Sequence, residues 1–162
     1  MDSLVPLFTT TAGRIGRKQW WIGVVVLAVA GIVLSMVLSL IGLGATAYST
    51  GWGSFIASLV LVYPSYCLSL KRRQDRDNNG LDLKVLMGAS IVMNLLQAIG
   101  VGITATDVGN GILMPVPAMW LSGLMLLLGV FAIYMLVQLG FLKGTPGSNS
   151  YGPDPVDGFA AA

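Results

Sequence analysis

The sequence predicts an all-α, polytopic membrane protein with four transmembrane helices, and three observations carry that prediction. Apolar residues make up 55% of the chain and charged residues 10%, against roughly 25% charged in soluble domains. Four apolar runs are long enough for a hydrocarbon core of about 30 Å, which takes roughly 20 helical residues to cross. All nine Lys and Arg residues lie in or beside alternate connections between those runs.

The elements follow in order. Residues 1–19 form an N-terminal segment ending in Gly13-Arg14-Ile15-Gly16-Arg17-Lys18-Gln19. The first span runs from about Trp20 to Leu43 and the second from about Ser54 to Leu70. A polar loop, 71–82, leads to the third span, about Leu83–Ile103, which carries Lys84 at its edge. The fourth runs from about Ala118 to Leu142, so spans and loop together occupy 20–143. Residues 144–162 form a tail rich in Gly and Pro, which favours turns over helix. The ten-residue alternation of a membrane barrel is absent.

Charge sets the orientation. Arg14, Arg17 and Lys18 precede the first span; Lys71, Arg72, Arg73, Arg76 and Lys84 lie between or beside the second and third; Lys143 follows the fourth. Residues 44–53 and 104–117 contain no Lys or Arg. Basic residues gather on the cytoplasmic side, which gives N-in and C-in. Trp20, Trp21, Trp52, Trp120 and Phe141 sit at the ends of spans, where an interfacial aromatic belt is expected. Pro115 and Pro117 suit the entry to the fourth helix, where missing amide donors do no harm. Arg14–Lys18 followed by Ala45-Thr46-Ala47 resembles a secretory signal, but the intervening apolar run of about 24 residues is far longer than a signal core. The segment is expected to stay attached.

Composition also excludes chemistry. The chain has no His, and the sequence shows no Glu. That removes His-based zinc sites, Ser-His-Asp triads and paired-glutamate hydrolysis. No catalytic residue, cofactor or metal site is expected. Cys67 stands alone and is expected to be a buried structural thiol. Asp75, Asp77, Asn79 and Gly80 match the opening of a calcium loop, but the twelfth position is Leu86, not Glu.

Helices in lipid associate through small residues and hydrogen bonds. Gly31, Ser35 and Ser39 form one such stripe, and Ser58, Ser65 and Ser69 another. Asn94, Gln97 and Gln138 are the candidate intramembrane polar contacts, expected to point into the bundle as interhelical links. No ionisable residue lies deep in a span, which argues against a proton relay or ion-coupled transporter.

Three polar segments therefore share one face, and together they resemble a bacterial inner-membrane family, domain of unknown function 805. Gly13, Arg14, Arg17, Trp20 and Trp21 match its opening pattern. Lys71, Arg72, Asp75, Arg76 and Gly80 match its loop. Gly144, Thr145, Gly147, Asn149, Tyr151, Gly152, Asp154 and Pro155 match its tail. Gln74 stands where the family carries histidine, Leu81 and Asp82 replace aromatics, and Ser150 replaces a basic residue. The resemblance implies a multi-pass protein of the bacterial inner membrane and names no reaction. It also implies an ordered tail, with Arg14 or Arg72 meeting Asp75 or Asp154 beside Tyr151.

The expected function is non-enzymatic: a binding, scaffold or accessory protein with a basic cytoplasmic face. The candidate surface comprises Arg14, Arg17, Lys18, Lys71, Arg72, Asp75, Arg76, Gly80, Asn149, Tyr151 and Asp154. Its expected partners are anionic lipid headgroups, a membrane protein or another copy of the chain, and not nucleic acid. Two alternatives remain: a channel or transporter component lined by Asn94, Gln97 and Gln138, and a headgroup-level enzyme using Asp75, Asp77 and Asp82.

Overall fold

The computed structural model describes residues 4–46 and 48–155. Ala47 of the Ala45-Thr46-Ala47 triplet and residues 156–162 of the tail lie outside the described residues. A short helix α1 (Val5–Thr9) precedes α2 (Arg17–Leu38), which continues into a wider π turn, Ser39–Leu43. Then come α3 (Trp52–Gln74), α4 (Leu81–Ala98), strands β1 (Ile103–Asp107) and β2 (Leu113–Pro117), and α5 (Met119–Leu136), which ends in a π turn, Val137–Phe141. Among the described residues, four helices are long and apolar enough to cross a membrane: Arg17–Leu43, Trp52–Gln74, Leu81–Ala98 and Met119–Phe141.

The chain is mostly helical but not all-α. Residues 103–117 form an antiparallel ribbon with Ile103 opposite Pro117 and Ala105 opposite Pro115. The two prolines lie in β2, which leads straight into the last helix. Two residues apart, they share one orientation in the ladder, so both missing amides fall on one edge of a two-stranded ribbon.

Glycine explains why α4 closes at Ala98 rather than near Ile103. Gly100 has φ +76°. Its amide donates to the Gln97 carbonyl at 3.2 Å, and that of Val101 donates to Leu96 at 2.9 Å. Those two bonds are a Schellman stop. Gly102, at φ +72°, then lays the chain against Trp120, where an added Cβ would sit 2.5 Å from the ring. Gly102→Ala is expected to cost about 1–2 kcal/mol, read as a lower melting temperature in detergent. An unchanged melting curve would mean the turn does not hold the ribbon in place.

The second helix also extends beyond its sequence boundary. Lys71–Gln74 form the last turn of α3, where cations meet the negative pole of the helix. Gly80, left-handed at φ +69°, caps the start of α4, and its amide donates to the Asn78 side-chain oxygen at 2.8 Å.

Packing is concentrated at this basic end. Ile15, Trp20, Leu68, Leu70, Leu83, Met135 and Leu139 form one buried cluster, drawn from every long helix. Trp20 is part of this core rather than of an interfacial belt, while Trp21 is exposed. Gly23 of α2 lets Leu68 of α3 approach closely, and Gly31 faces Leu61. Ser35 and Ser39 are exposed, and Cys67 is buried. Elsewhere the outward faces of α2 and α5 are bare valine, leucine and isoleucine, with Ile32 at 62% exposure and Leu126 at 69%.

Candidate functional site

Five consecutive residues at the end of α3, Lys71 to Asp75, are buried. A buried polar run of that kind must be satisfied by its surroundings, because an unpaired charge away from water is costly. Three segments converge to satisfy it: residues 13–19, the turn 75–82, and the tail 142–154.

Asp75 is the centre. Its Oδ1 accepts from Arg14 Nε at 3.1 Å and its Oδ2 accepts from Arg72 Nη1. Both arginines pair with this one carboxylate, and all three side chains are almost wholly buried. Two cations on one anion leave excess positive charge, and backbone carbonyls absorb it. Arg72 donates to Leu139 O at 2.8 Å and to Leu142 O. Arg14 donates to Thr145 O at 2.7 Å, Gly147 O at 2.6 Å and Gly152 O at 3.2 Å. Only a guanidinium offers five donors in a rigid fork, so lysine would not serve at either position.

The π turn at the end of α5 supplies the Leu139 acceptor and two more. A helix end leaves carbonyls without intrahelical partners. Trp21 Nε1 donates to Gly140 O at 3.3 Å, and Arg17 donates to Phe141 O at 3.2 Å. Gly140 carries no side chain because a Cβ there would lie 2.9 Å from Trp21.

The tail is tied down as firmly. Thr145 N donates to Asp75 O at 2.9 Å, and its hydroxyl donates to the same oxygen at 3.1 Å. Asn149 Nδ2 donates to Gln74 O at 2.8 Å and to Thr145 Oγ1 at 2.9 Å, while its Oδ1 accepts from Tyr151 N at 2.9 Å. Gly147 N donates to Asp154 at 3.0 Å, and Ser150 N to Asp77 at 3.2 Å. Asn149→Ala removes the bonds to two segments at once and is expected to cost about 1–3 kcal/mol. Faster chymotryptic cleavage after Tyr151 in detergent would report it. Cleavage at the wild-type rate would show that Asn149 does not hold the tail.

A second cluster lies beside the first. Arg73 pairs with Asp82 and donates to Gln138 Oε1 at 3.2 Å, and Arg76 donates to the same amide oxygen. Gln138 therefore sits at the basic end, holding arginines. Asn94 donates to Ser90 O at 2.8 Å and Gln97 to Met93 O at 3.2 Å, each one turn back in its own helix.

Most of the sequence-predicted surface residues come together here. Arg14, Arg72, Asp75, Asn149, Tyr151 and Asp154 lie in the first cluster, Arg76 in the second, and Gly80 turns the chain between α3 and α4. Arg17 and Lys18 are exposed at its edge. Sequence reasoning missed Arg73 as a pairing residue, and took Asp82 only for a possible catalytic group. Their spacing across a turn gave no periodic signal. It also missed the carbonyl acceptors, since a backbone oxygen carries no sequence identity. Buried Gln74 has no hydrogen-bond partner for its side-chain oxygen among the described residues, at the position where the resemblance has histidine.

These features define a class: a helical chain with four helices fit to cross a membrane, closed at one end by an arginine–aspartate cap. The chain belongs to the family described as protein of unknown function DUF805, whose model matches residues 8–153. It is similar to the uncharacterized protein YiiR of Escherichia coli K12, 26% identical over 145 residues, covering 90% of this chain and 85% of the relative. The YiiR of Escherichia coli O157:H7 matches to the same extent. No solved structure matches the chain.

Proposed function

We propose that this chain is a multi-pass protein of the bacterial inner membrane, with both termini cytoplasmic, which works by binding rather than by catalysis. Its polar cap meets anionic headgroups or a membrane partner. The bare apolar faces of α2 and α5 support the membrane setting, because exposed patches of that extent are poorly compatible with water. The clustering of every basic residue toward one end supports the orientation.

The observation that carries the binding reading is a division among the cations. Arg14, Arg72, Arg73 and Arg76 are spent on Asp75, Asp82, Gln138 and backbone oxygens. Arg17, Lys18, Lys84 and Lys143 are exposed around them. Those four give the cap an outward positive rim on α2, α4 and the end of α5. Each would add about 1 kcal/mol of attraction to an anionic leaflet. The catalytic alternative draws less support: Asp75 and Asp82 are both held by arginines.

The test is affinity purification of the full chain from native membrane, with co-purifying proteins and lipids identified. Recovery of a defined protein partner or of enriched acidic lipid is expected. Recovery of the chain alone, free of bound lipid, contradicts the reading.

A further inference from the structure

A cavity of about 460 Å³ opens beside α1, between the link 10–15, the first turns of α2 and the last turn of α3. Leu7, Ile15 and Ile22 give it apolar walls, and Lys71 forms part of its lining. Lys71 is only 4% exposed. Its ammonium donates to Pro6 O, but an ammonium has three donors and a full charge. Arg14, Arg72 and Arg73 hold the carboxylates of Asp75 and Asp82, and Lys71 makes no ion pair among the described residues. Burial of an ammonium without a counter-charge is strongly unfavourable. Leu4 and Ile22, both well exposed and apolar, also line the cavity. A buried cation with no anion among the described residues, lining an apolar-walled opening, fits an anion carried on a greasy stem.

We propose that this cavity takes the headgroup phosphate of an acidic phospholipid, with Lys71 as its counter-ion. The first methylenes or glycerol of the lipid lie against Leu7 and Ile22. A volume of this size falls in the range of small-ligand pockets. The inference rests on the reading that this end of the bundle lies at headgroup level, and it adds a defined site to the diffuse rim of exposed cations.

The experiment is native mass spectrometry of the full chain in detergent, offered phosphatidylglycerol and phosphatidylcholine in equal amounts, with inorganic phosphate as competitor. Wild type is expected to retain phosphatidylglycerol about tenfold over phosphatidylcholine: both carry the phosphate, but the fixed ammonium of choline would be brought close to Lys71. Lys71→Met is expected to abolish that preference and Lys71→Arg to keep it. Thr10→Trp, which fills the cavity from an exposed position on its lining, leaves Lys71 intact and is expected to lose the lipid too. Lys84→Met, on the exposed rim, is expected to behave as wild type. Equal retention of both lipids overturns the proposal, as does retention by Lys71→Met. Loss of the preference in Lys84→Met also overturns it, because the attraction would then be diffuse. Displacement by equimolar inorganic phosphate overturns it as well, because the stem would then contribute nothing. A chain soluble without detergent would sink the membrane reading itself; lipid indifference in a detergent-dependent chain sinks only the site.

Discussion

Asp75→Asn is expected to destabilise the protein by about 3–5 kcal/mol, the cost of removing one partner from a buried ion cluster. The asparagine would keep the shape and lose the charge. Arg14 and Arg72, both almost wholly buried, would then face each other with no anion between them. An amide NH₂ turned toward a guanidinium makes the contact worse. The tail would loosen with it, because Arg14, which the Asp75 carboxylate holds, donates to the Thr145, Gly147 and Gly152 carbonyls. A markedly lower melting temperature in detergent and rapid chymotryptic loss of the tail are the readouts. Asp75→Asn melting with the wild type would mean the cluster is ornamental. Restoration of stability on adding Arg14→Met to Asp75→Asn would show that uncompensated charge, rather than lost packing, is the cause.

Gly144→Ala is expected to have an effect of similar kind from a change of one methyl group. A Cβ on residue 144 would sit 2.6 Å from Asp75 Cγ and 2.9 Å from Oδ1. Contacts below 3.0 Å force something to move. A free carboxylate would swing aside, but this one is fixed on both oxygens by arginines. The alanine must therefore break an ion pair or push the tail away. A cost of about 1–3 kcal/mol follows, the usual penalty for overpacking a fixed site. The same substitution at Gly147 meets no neighbouring atom within 4 Å, although its φ of +72° still carries backbone strain. Gly144→Ala falling well below Gly147→Ala in melting temperature is the expected order. The reverse order would show that the clasp around Asp75 is loose.

Long apolar runs are the strongest signal a sequence carries, and all the helices fit to cross a membrane were legible from them. Their ends were less so. The boundary at Leu70 followed the onset of charge, yet the α3 backbone continues through Gln74, because the arginines are satisfied by carbonyls and Asp75 rather than by water. The boundary at Ile103 followed hydropathy and ignored what Gly100 does to a helix. The ribbon was missed for a related reason. Residues 104–117 read as a loop without Lys or Arg, and Pro115 and Pro117 mask a strand unless it lies at an edge. Trp20 and Trp21 looked alike in sequence, and only packing separated a core residue from a cap donor.

The cap was partly legible. The resemblance gathered its residues into three patterns, and geometry supplies their physical reasons. Arg14 and Arg72 both reach one carboxylate, Gly144 makes room for it, and Asn149 ties the tail to the end of α3. Lys71 matched the same pattern, but nothing in the sequence distinguished it from the arginines beside it. Its burial, with no anion beside it among the described residues, appears only in three dimensions. Gln138, read from the sequence as an intramembrane contact near the inner end of its span, belongs to the cap, where Arg73 and Arg76 donate to its side-chain oxygen.

Cysteine accessibility in intact cells tests the central claim most directly, because native Cys67 is buried and gives little background. Val108→Cys, at the exposed tip of the ribbon, and Asn79→Cys, in the exposed turn before α4, mark opposite ends of the bundle. A membrane-impermeant maleimide is expected to label Val108→Cys in whole cells and Asn79→Cys only after the membrane is opened. Labelling of Asn79→Cys in whole cells, or of both positions alike, would contradict an arginine-capped end that faces the cytoplasm.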